Sequence, residues 1–348
     1  DVERSDLAFF RHKYRLLLGE RMLDGNGTGK DIELGKEILE AEKYNIVEKI
    51  DLIKDDMDCL FVVSAIGGGI GGAVYILLDE LRKSYTEPVY YAGILPSEED
   101  FPKVVTNFSR NFKKIVKSCD AIFPVDIDSF KGEARLRSAY NVIDERVFRY
   151  LSNLFAVGEH EGIETGGSAL ATSDVLNTLA GVTSVGLGTY ESYTEGKEVA
   201  GPELIVSLTE DAIKNLSLPV DIKDSRKVLV AVFASGRERG FVGSIPARLL
   251  IEKKLETAEV RGGDIFMRTK KEPEVMLVLS GVRRSERLKY LYHLGKMFER
   301  RNIYSDSVPK IFSRLENLNS KISEVVKEFK LLYKDTKKIA EQSRNKRE

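Results

Sequence analysis

Apolar and polar positions along the first 130 residues change period several times, and each change marks an element. Over 33–49, Leu34, Ile38, Leu39 and Ile46 recur at helical steps, predicting an amphipathic helix led in by the polar, glycine-rich loop 24–31. The continuous apolar run Cys59-Leu60-Phe61-Val62-Val63 predicts a buried strand, followed by Gly67-Gly68-Gly69-Ile70-Gly71-Gly72-Ala73 and a helix over 74–83. A strand over 88–95, a helix over 103–117 and a strand over 121–125 continue the alternation. Strands alternating with helices predict a parallel sheet covered on both faces, with ligands at the carboxyl ends of the strands, where both glycine loops fall. A long helix over 140–157 comes next. Strands over 182–190, 227–234, 256–262 and 274–282, set among helices over 202–216 and 243–254, then predict a second, mixed α/β domain.

The last stretch has a different period. Val308, Ile311, Leu315, Leu318, Ile322, Val325, Phe329, Leu332 and Ile339 keep a three-four spacing interrupted at Thr336, with Ser307 placed as an N-cap and Pro309 in the first turn. This predicts a heptad-patterned helix whose seam over 308–339 meets a helical partner, or else packs along the chain's own globular body. The basic residues from Lys337 to Arg347 are expected to be solvated.

Composition narrows the function classes. With 348 residues and 42% hydrophobic content the chain can bury a large core, and its length suggests two domains. The formal charge of −1, with both signs mixed along the chain, gives no basic field for nucleic acid. Cys59 and Cys119 lack any Cys-x-x-Cys spacing and read as buried thiols of a reducing compartment; His12, His160 and His293 have no paired ligand spacing, so no metal site is expected. No apolar stretch approaches membrane-spanning length, and the opening residues do not read as a signal peptide.

Chemistry concentrates at the glycine run. Five glycines between a strand and a helix let the backbone turn tightly, aim several N–H groups at one point and place the positive end of the helix dipole behind them, which describes a phosphate site. The same run also reads as a strand-to-helix turn whose glycines only allow close packing. Three lookalikes fail. In 24–31 a Gly-Lys pair is present, but Asp31 stands where a Walker loop needs Ser or Thr, and Asp24 where it needs its first glycine. The run 67–72 lacks the register of a dinucleotide fingerprint, and no nucleophile elbow occurs.

The run does resemble the phosphate loop Gly-Gly-Gly-Thr-Gly-Ser-Gly of the tubulin/FtsZ superfamily, and further motifs in the same order point to its archaeal CetZ branch. Asn26-Gly27-Thr28-Gly29 with Glu33-Leu34-Gly35 resembles the preceding phosphate loop. Tyr85-Thr86-Glu87-Pro88-Val89-Tyr90 with Gly93-Ile94-Leu95-Pro96 is similar to the next strand, and Asn107 and Arg110 fall on an Asn-Ala-x-Arg stretch. In the second domain Asn177-Thr178-Leu179, Val260-Arg261-Gly262-Gly263-Asp264 and Leu279-Ser280-Gly281-Val282 are similar to short CetZ motifs.

The resemblance implies an α/β protein in four parts: a Rossmann-like parallel-sheet GTPase domain over 1–138, a central helix over 139–160, a mixed α/β activation domain over 161–298 and a long C-terminal helix over 299–348. It implies GTP/GDP as cofactor, Mg2+ with GTP, head-to-tail self-assembly into cytoplasmic, cytoskeletal filaments, and hydrolysis completed between subunits. It also implies a first strand and glycine-rich loop ahead of Asp1, which residues 1–348 do not supply. The residues it assigns to the nucleotide are Gly27, Thr28, Gly29, Gly67, Gly68, Gly69, Gly71, Gly72, Asp100 near the ribose, Asn107 and Arg110.

Departures are concentrated at the base and at the reacting phosphate. Ile70 replaces the loop threonine, and Ile127, between Asp126 and Asp128, replaces a base-contacting asparagine. Tyr140 and Asp144, one helical turn apart, suit a ring stacked on the base and a carboxylate accepting its N–H donors; they suit equally a core tyrosine and a carboxylate serving the helix dipole. The family's activation loop carries two water-positioning acids, whereas Ala169-Leu170-Ala171-Thr172-Ser173-Asp174 keeps one. Asp174 is therefore the candidate for placing the attacking water, or a plain helix-capping residue. These departures support a second expectation, a non-hydrolysing homologue acting through its C-terminal helix. A metabolic Rossmann-type enzyme is disfavoured, because no general base sits beside the glycine loop.

Overall fold

The computed structural model describes residues 1–9, 14–130, 136–157, 163–165, 170–190, 201–238, 242–255, 258–267, 270 and 272–300, without the side chains of 9, 136–143 and 163–165. The chain divides into two compact units, Asp1–Phe298 and Glu299–Glu348. The heptad seam over 308–339 and the basic tail lie outside the described residues.

Two short helices, α1 (Arg4–Phe9) and α2 (Glu20–Leu23), precede α3 (Ile32–Asp51). Asp31 caps α3, its carboxylate accepting the N–H groups of Glu33 and Leu34. Strand β1 (Leu60–Ala65) leads to α4 (Gly69–Ala73) and α5 (Tyr75–Ser84), joined through Val74. Then follow β2 (Val89–Ile94), α6 (Pro102–Lys117), β3 (Ala121–Val125) and the central helix α7 (Leu136–Ala156). The remainder is β4 (Ile163–Thr165), α8 (Thr172–Thr178), β5 (Gly181–Val182), β6 (Ser184–Thr189), α9 (Pro202–Lys214), β7 (Lys227–Ala234), α10 (Ile245–Lys254), β8 (Glu259–Met267), β9 (Glu274–Ser280) and α11 (Glu286–Arg300).

The first sheet has the order β1-β2-β3-β5, all parallel, with Leu60 opposite Val89, Tyr90 opposite Ala121 and Ala121 opposite Gly181. All of β3 and all but the last residue of β2 are buried, as expected of inner strands covered on both faces, whereas β1, at the end of the described sheet, leaves Val63 47% exposed. The second sheet runs β4-β8-β7-β9-β6, with only β7 and β8 parallel.

One apolar core joins the two. Tyr90, Phe123 and Val125 from the first sheet meet Tyr150 and Leu154 of α7, Val157 just after it, and Leu229, Phe233 and Met276 from the second. The opposite face of the second sheet is covered by α9 and α10 through Leu204, Leu208, Ala247 and Ile251. Glu274, 2% exposed at the start of β9, accepts from Arg149 and Asn153 of α7, and this buried polar tie fixes the central helix on the second sheet. The region expected as one strand over 182–190 divides between the sheets. Gly181–Val182 pairs with β3 and Ser184–Thr189 with β9, and Thr183 between them donates its N–H to Ile122 and shares a hydroxyl contact with Ser280.

Candidate functional site

Three loops leave the carboxyl ends of β1, β2 and β3, and the loop before α3 comes up beside the first of them. Contact between Gly35 and Gly69 is backbone to backbone: a Cβ on Gly35 would stand 2.3 Å from the Gly69 carbonyl oxygen, and one on Gly69 would stand 2.2 Å from Thr28 Oγ1. Gly71 is tighter still, with 1.9 Å between its virtual Cβ and the Ala65 carbonyl oxygen. Gly68 alone in the run 67–72 has room, its nearest neighbour lying at 3.5 Å, and it stands as the N-cap of α4 with no side-chain cap. The N–H groups of the first turn behind it have no partner within the helix. The run therefore serves close packing at four of its five glycines and would accommodate a Cβ only at Gly68.

Helix α6 binds these loops together. Buried Asn107 donates its amide to the carbonyls of Lys30 (3.0 Å) and Gly67 (2.9 Å), and Lys103 Nζ reaches the Gly29 carbonyl at 3.1 Å. Asn107 thus ties loop to loop, while Arg110, on the same helix, is exposed. Ile70, where the family resemblance expects a threonine, packs against the cluster of Val2, Leu18, Ile32, Ile38 and Leu39.

The loops after β2 and β3 form a buried polar network that the pattern of the sequence did not foretell beyond the pair Asp126 and Asp128. Ser97 donates its hydroxyl to Asp128 at 2.6 Å, the Glu98 N–H reaches the same carboxylate at 2.8 Å, and the Ser97 N–H reaches Asp100 at 2.9 Å. Asp100 is thereby fixed as a loop-closing acceptor. Arg287 of α11 enters from the second domain's chain, pairing with Glu98 at 2.6 Å and with Asp128, and lying 3.0 Å from Asp126 at an angle short of a hydrogen bond. One cation faces three carboxylates.

Burial pushes the Asp126 carboxyl up to about 6, against the opposing pull of Arg287. A carboxyl raised in the folded state adds stability in acid and loses it as pH climbs through the folded value. Asp126→Asn is accordingly expected to gain on the wild type by up to ~3 kcal/mol between pH 4 and pH 7.5. Denaturant curves of both proteins across that range measure it, and a stability difference constant with pH contradicts it.

The activation segment lies elsewhere. Asp174, in the first turn of α8, accepts the Ala171 N–H at 3.0 Å through one oxygen and pairs with Arg261 of β8 through the other, while Arg261 also holds Glu259 at 2.7 Å. The capping chemistry expected of Asp174 is thus present. Asp144 is exposed on α7, and the Tyr140 side chain lies outside the described residues. Among the described residues no group of three His, Cys, Asp or Glu could hold a metal ion, and no helix is long and apolar enough to cross a membrane. Both cysteines are free; burial raises the Cys59 thiol and pushes Cys119 up to about 12, so both are protonated at neutral pH.

A parallel sheet with glycine-lined loops at its carboxyl edge, a central helix and a second mixed sheet define the tubulin/FtsZ fold. Residues 1–134 match the Tubulin/FtsZ family GTPase domain, and residues 132–296 match the C-terminal domain of tubulin-like CetZ. Tubulin-like protein CetZ1 of Haloferax volcanii is 30% identical over 309 residues, spanning 81% of this chain and 78% of that protein. The chain belongs to the tubulin-like CetZ family. Among solved structures, CetZ1 of Haloferax volcanii as a GDP-bound monomer superposes with a TM-score of 0.73 at 28% identity, covering 86% of this chain and 88% of the other. CetZ2 of the same organism, as a GTPγS-bound protofilament, gives 0.75 at 26% identity with the same coverage.

Proposed function

We propose that this chain binds GTP and GDP at the carboxyl edge of its first sheet and assembles head to tail into cytoplasmic, cytoskeletal filaments. The observation that carries this is the glycine loop 67–72 at the carboxyl end of β1, closely packed through its backbone and tied by Asn107 and Lys103 to the loop before α3. Backbone N–H groups at the start of a helix suit a phosphate, and glycine at position 68 keeps a side chain from standing beside them. In this reading Gly27, Thr28 and Gly29 join the phosphate site, Thr28 standing against Gly69 and Gly29 held by Lys103, and the loop 97–100 with Asp100 serves the sugar. Arg110, Tyr140 and Asp144 complete the proposed contacts. Mg2+ would arrive with the phosphates of GTP and neutralise their charge. The GDP and GTPγS carried by the two CetZ structures, and the protofilament of one, support the reading.

A second reading, with hydrolysis slow or absent, is favoured by Asp174, whose two oxygens are both engaged within its own subunit. Assembly would then outlast turnover, and a helical partner of 308–339 would regulate it.

Titration calorimetry with GDP, and with GTP plus Mg2+, is expected to give saturable binding, and sedimentation with GTP is expected to bring down polymer that GDP does not. Failure to bind either nucleotide removes the reading.

A further inference from the structure

Helix α11 follows the second sheet directly in the chain, yet it packs against the first domain. A Cβ on Gly295 would stand 2.5 Å from the Val105 carbonyl oxygen and 2.6 Å from the Ser109 Cβ, so α11 crosses α6 in backbone contact. Lys113 of α6 lies over the Tyr292 ring at 4.7 Å, on the same crossing. That crossing bears on the helix whose Asn107 and Lys103 hold the two glycine loops. Two turns earlier on α11, about 12 Å along its axis, Arg287 reaches the other two loops. Its side chain is 12% exposed, and a guanidinium so enclosed among Glu98, Asp126 and Asp128 is fixed in orientation by its planar fork. A single helix thus bears on the glycine loops through α6 and on the loops after β2 and β3 through one arginine.

We infer that Arg287 is a positioning residue for the nucleotide site: its fork onto Glu98 and Asp128 holds the loops 97–100 and 126–129 in the arrangement that receives the nucleoside, and makes nucleotide affinity depend on α11. The inference deepens the proposed nucleotide-binding reading and rests on it. Arg287 itself touches no nucleotide; it acts through the two loops. Lysine keeps the charge but loses the fork, so it cannot hold Glu98 and Asp128 at once in the same plane.

The test is Arg287→Lys in the full chain, with GDP titration and ligand-free amide hydrogen exchange. We expect GDP binding weakened about tenfold, within the usual span of coupling between sites, and faster exchange in 97–100 and 126–129 while the melt stays cooperative. Unchanged GDP affinity overturns the inference even if the melting temperature falls, because a merely structural bolt lowers stability without touching the folded protein's affinity. Should the lysine variant not fold, Glu98→Gln removes one arm only and is held to the same two readouts, with a smaller loss of affinity expected and an unchanged one overturning the inference. Absence of GDP binding by the wild type refutes the nucleotide reading and the inference together, whereas normal wild-type binding with an unaffected variant refutes the inference alone.

Discussion

Gly71→Ala is expected to lower stability by about 2–4 kcal/mol and to remove GDP binding, whereas Gly68→Ala is expected to keep stability within about 1 kcal/mol and still lose affinity. At Gly71 the added methyl would stand 1.9 Å from the Ala65 carbonyl oxygen, and that oxygen already accepts the Gly68 N–H at 3.2 Å. Relief requires the loop to move away from the end of β1, which breaks that bond and shifts every N–H group of the run. Alanine's better helix propensity, about 1 kcal/mol, is too small to offset such a clash. At Gly68 the backbone has an ordinary φ of −73° and the nearest atom is at 3.5 Å, an ordinary contact, so alanine is accommodated and only its methyl beside the N–H groups of the loop matters. Urea denaturation with GDP titration on both variants decides between the two uses of the run. If Gly68→Ala binds GDP like the wild type, the glycines serve packing alone.

The sequence pattern located elements well where a strand or helix is defined by its own residues. The strands expected over 121–125 and 227–234 coincide with β3 and β7, and the amphipathic stretch 33–49 lies within Ile32–Asp51. It failed where neighbours decide. Positions 182–190 read as one β run, but Thr183 changes partner from Ile122 on one side to Ser280 on the other, and only the packed structure contains that change. Helix α11 was not separated from the polar stretch around it, because its buried face is just Leu291, Leu294, Gly295 and Phe298, two of them adjacent.

The candidate site shows the same division. The glycine run and the Asn-x-x-Arg stretch are local and were legible, including the alternative that the glycines serve packing, which the contacts at Gly69 and Gly71 bear out in part. The network around Arg287 was not, since its hydrogen bonds span 189 and 159 residues and an arginine in the first turn of a helix carries no signal of such distant partners. Asp126 and Asp128 stood out only as acids beside a replaced asparagine. Burial and a single shared cation then turn that acid pair into a coupled unit, a property of the fold rather than of the motif.

Asp174→Ala is expected to leave GDP affinity unchanged and to lower GTP turnover at least about 100-fold, the scale on which removing one electrostatic donor acts on a transition state. Where the related activation loops carry two acids, this chain has Ala171 and Asp174, so no second carboxylate in that loop can take over the water. In the isolated subunit Asp174 is held by Arg261 and by the Ala171 N–H, and acting on a neighbour's phosphate would require it to give up at least the arginine. That exchange predicts turnover per subunit that rises with protein concentration and a wild-type rate that is already low. Removing the side chain also removes the helix cap, so a fall in stability of about 1 kcal/mol should accompany the change. Phosphate release measured across a range of protein concentrations, beside GDP titration, separates the possibilities. Turnover unaltered in Asp174→Ala takes the residue out of catalysis and leaves it as a cap, and a wild type with no turnover at any concentration establishes the non-hydrolysing reading.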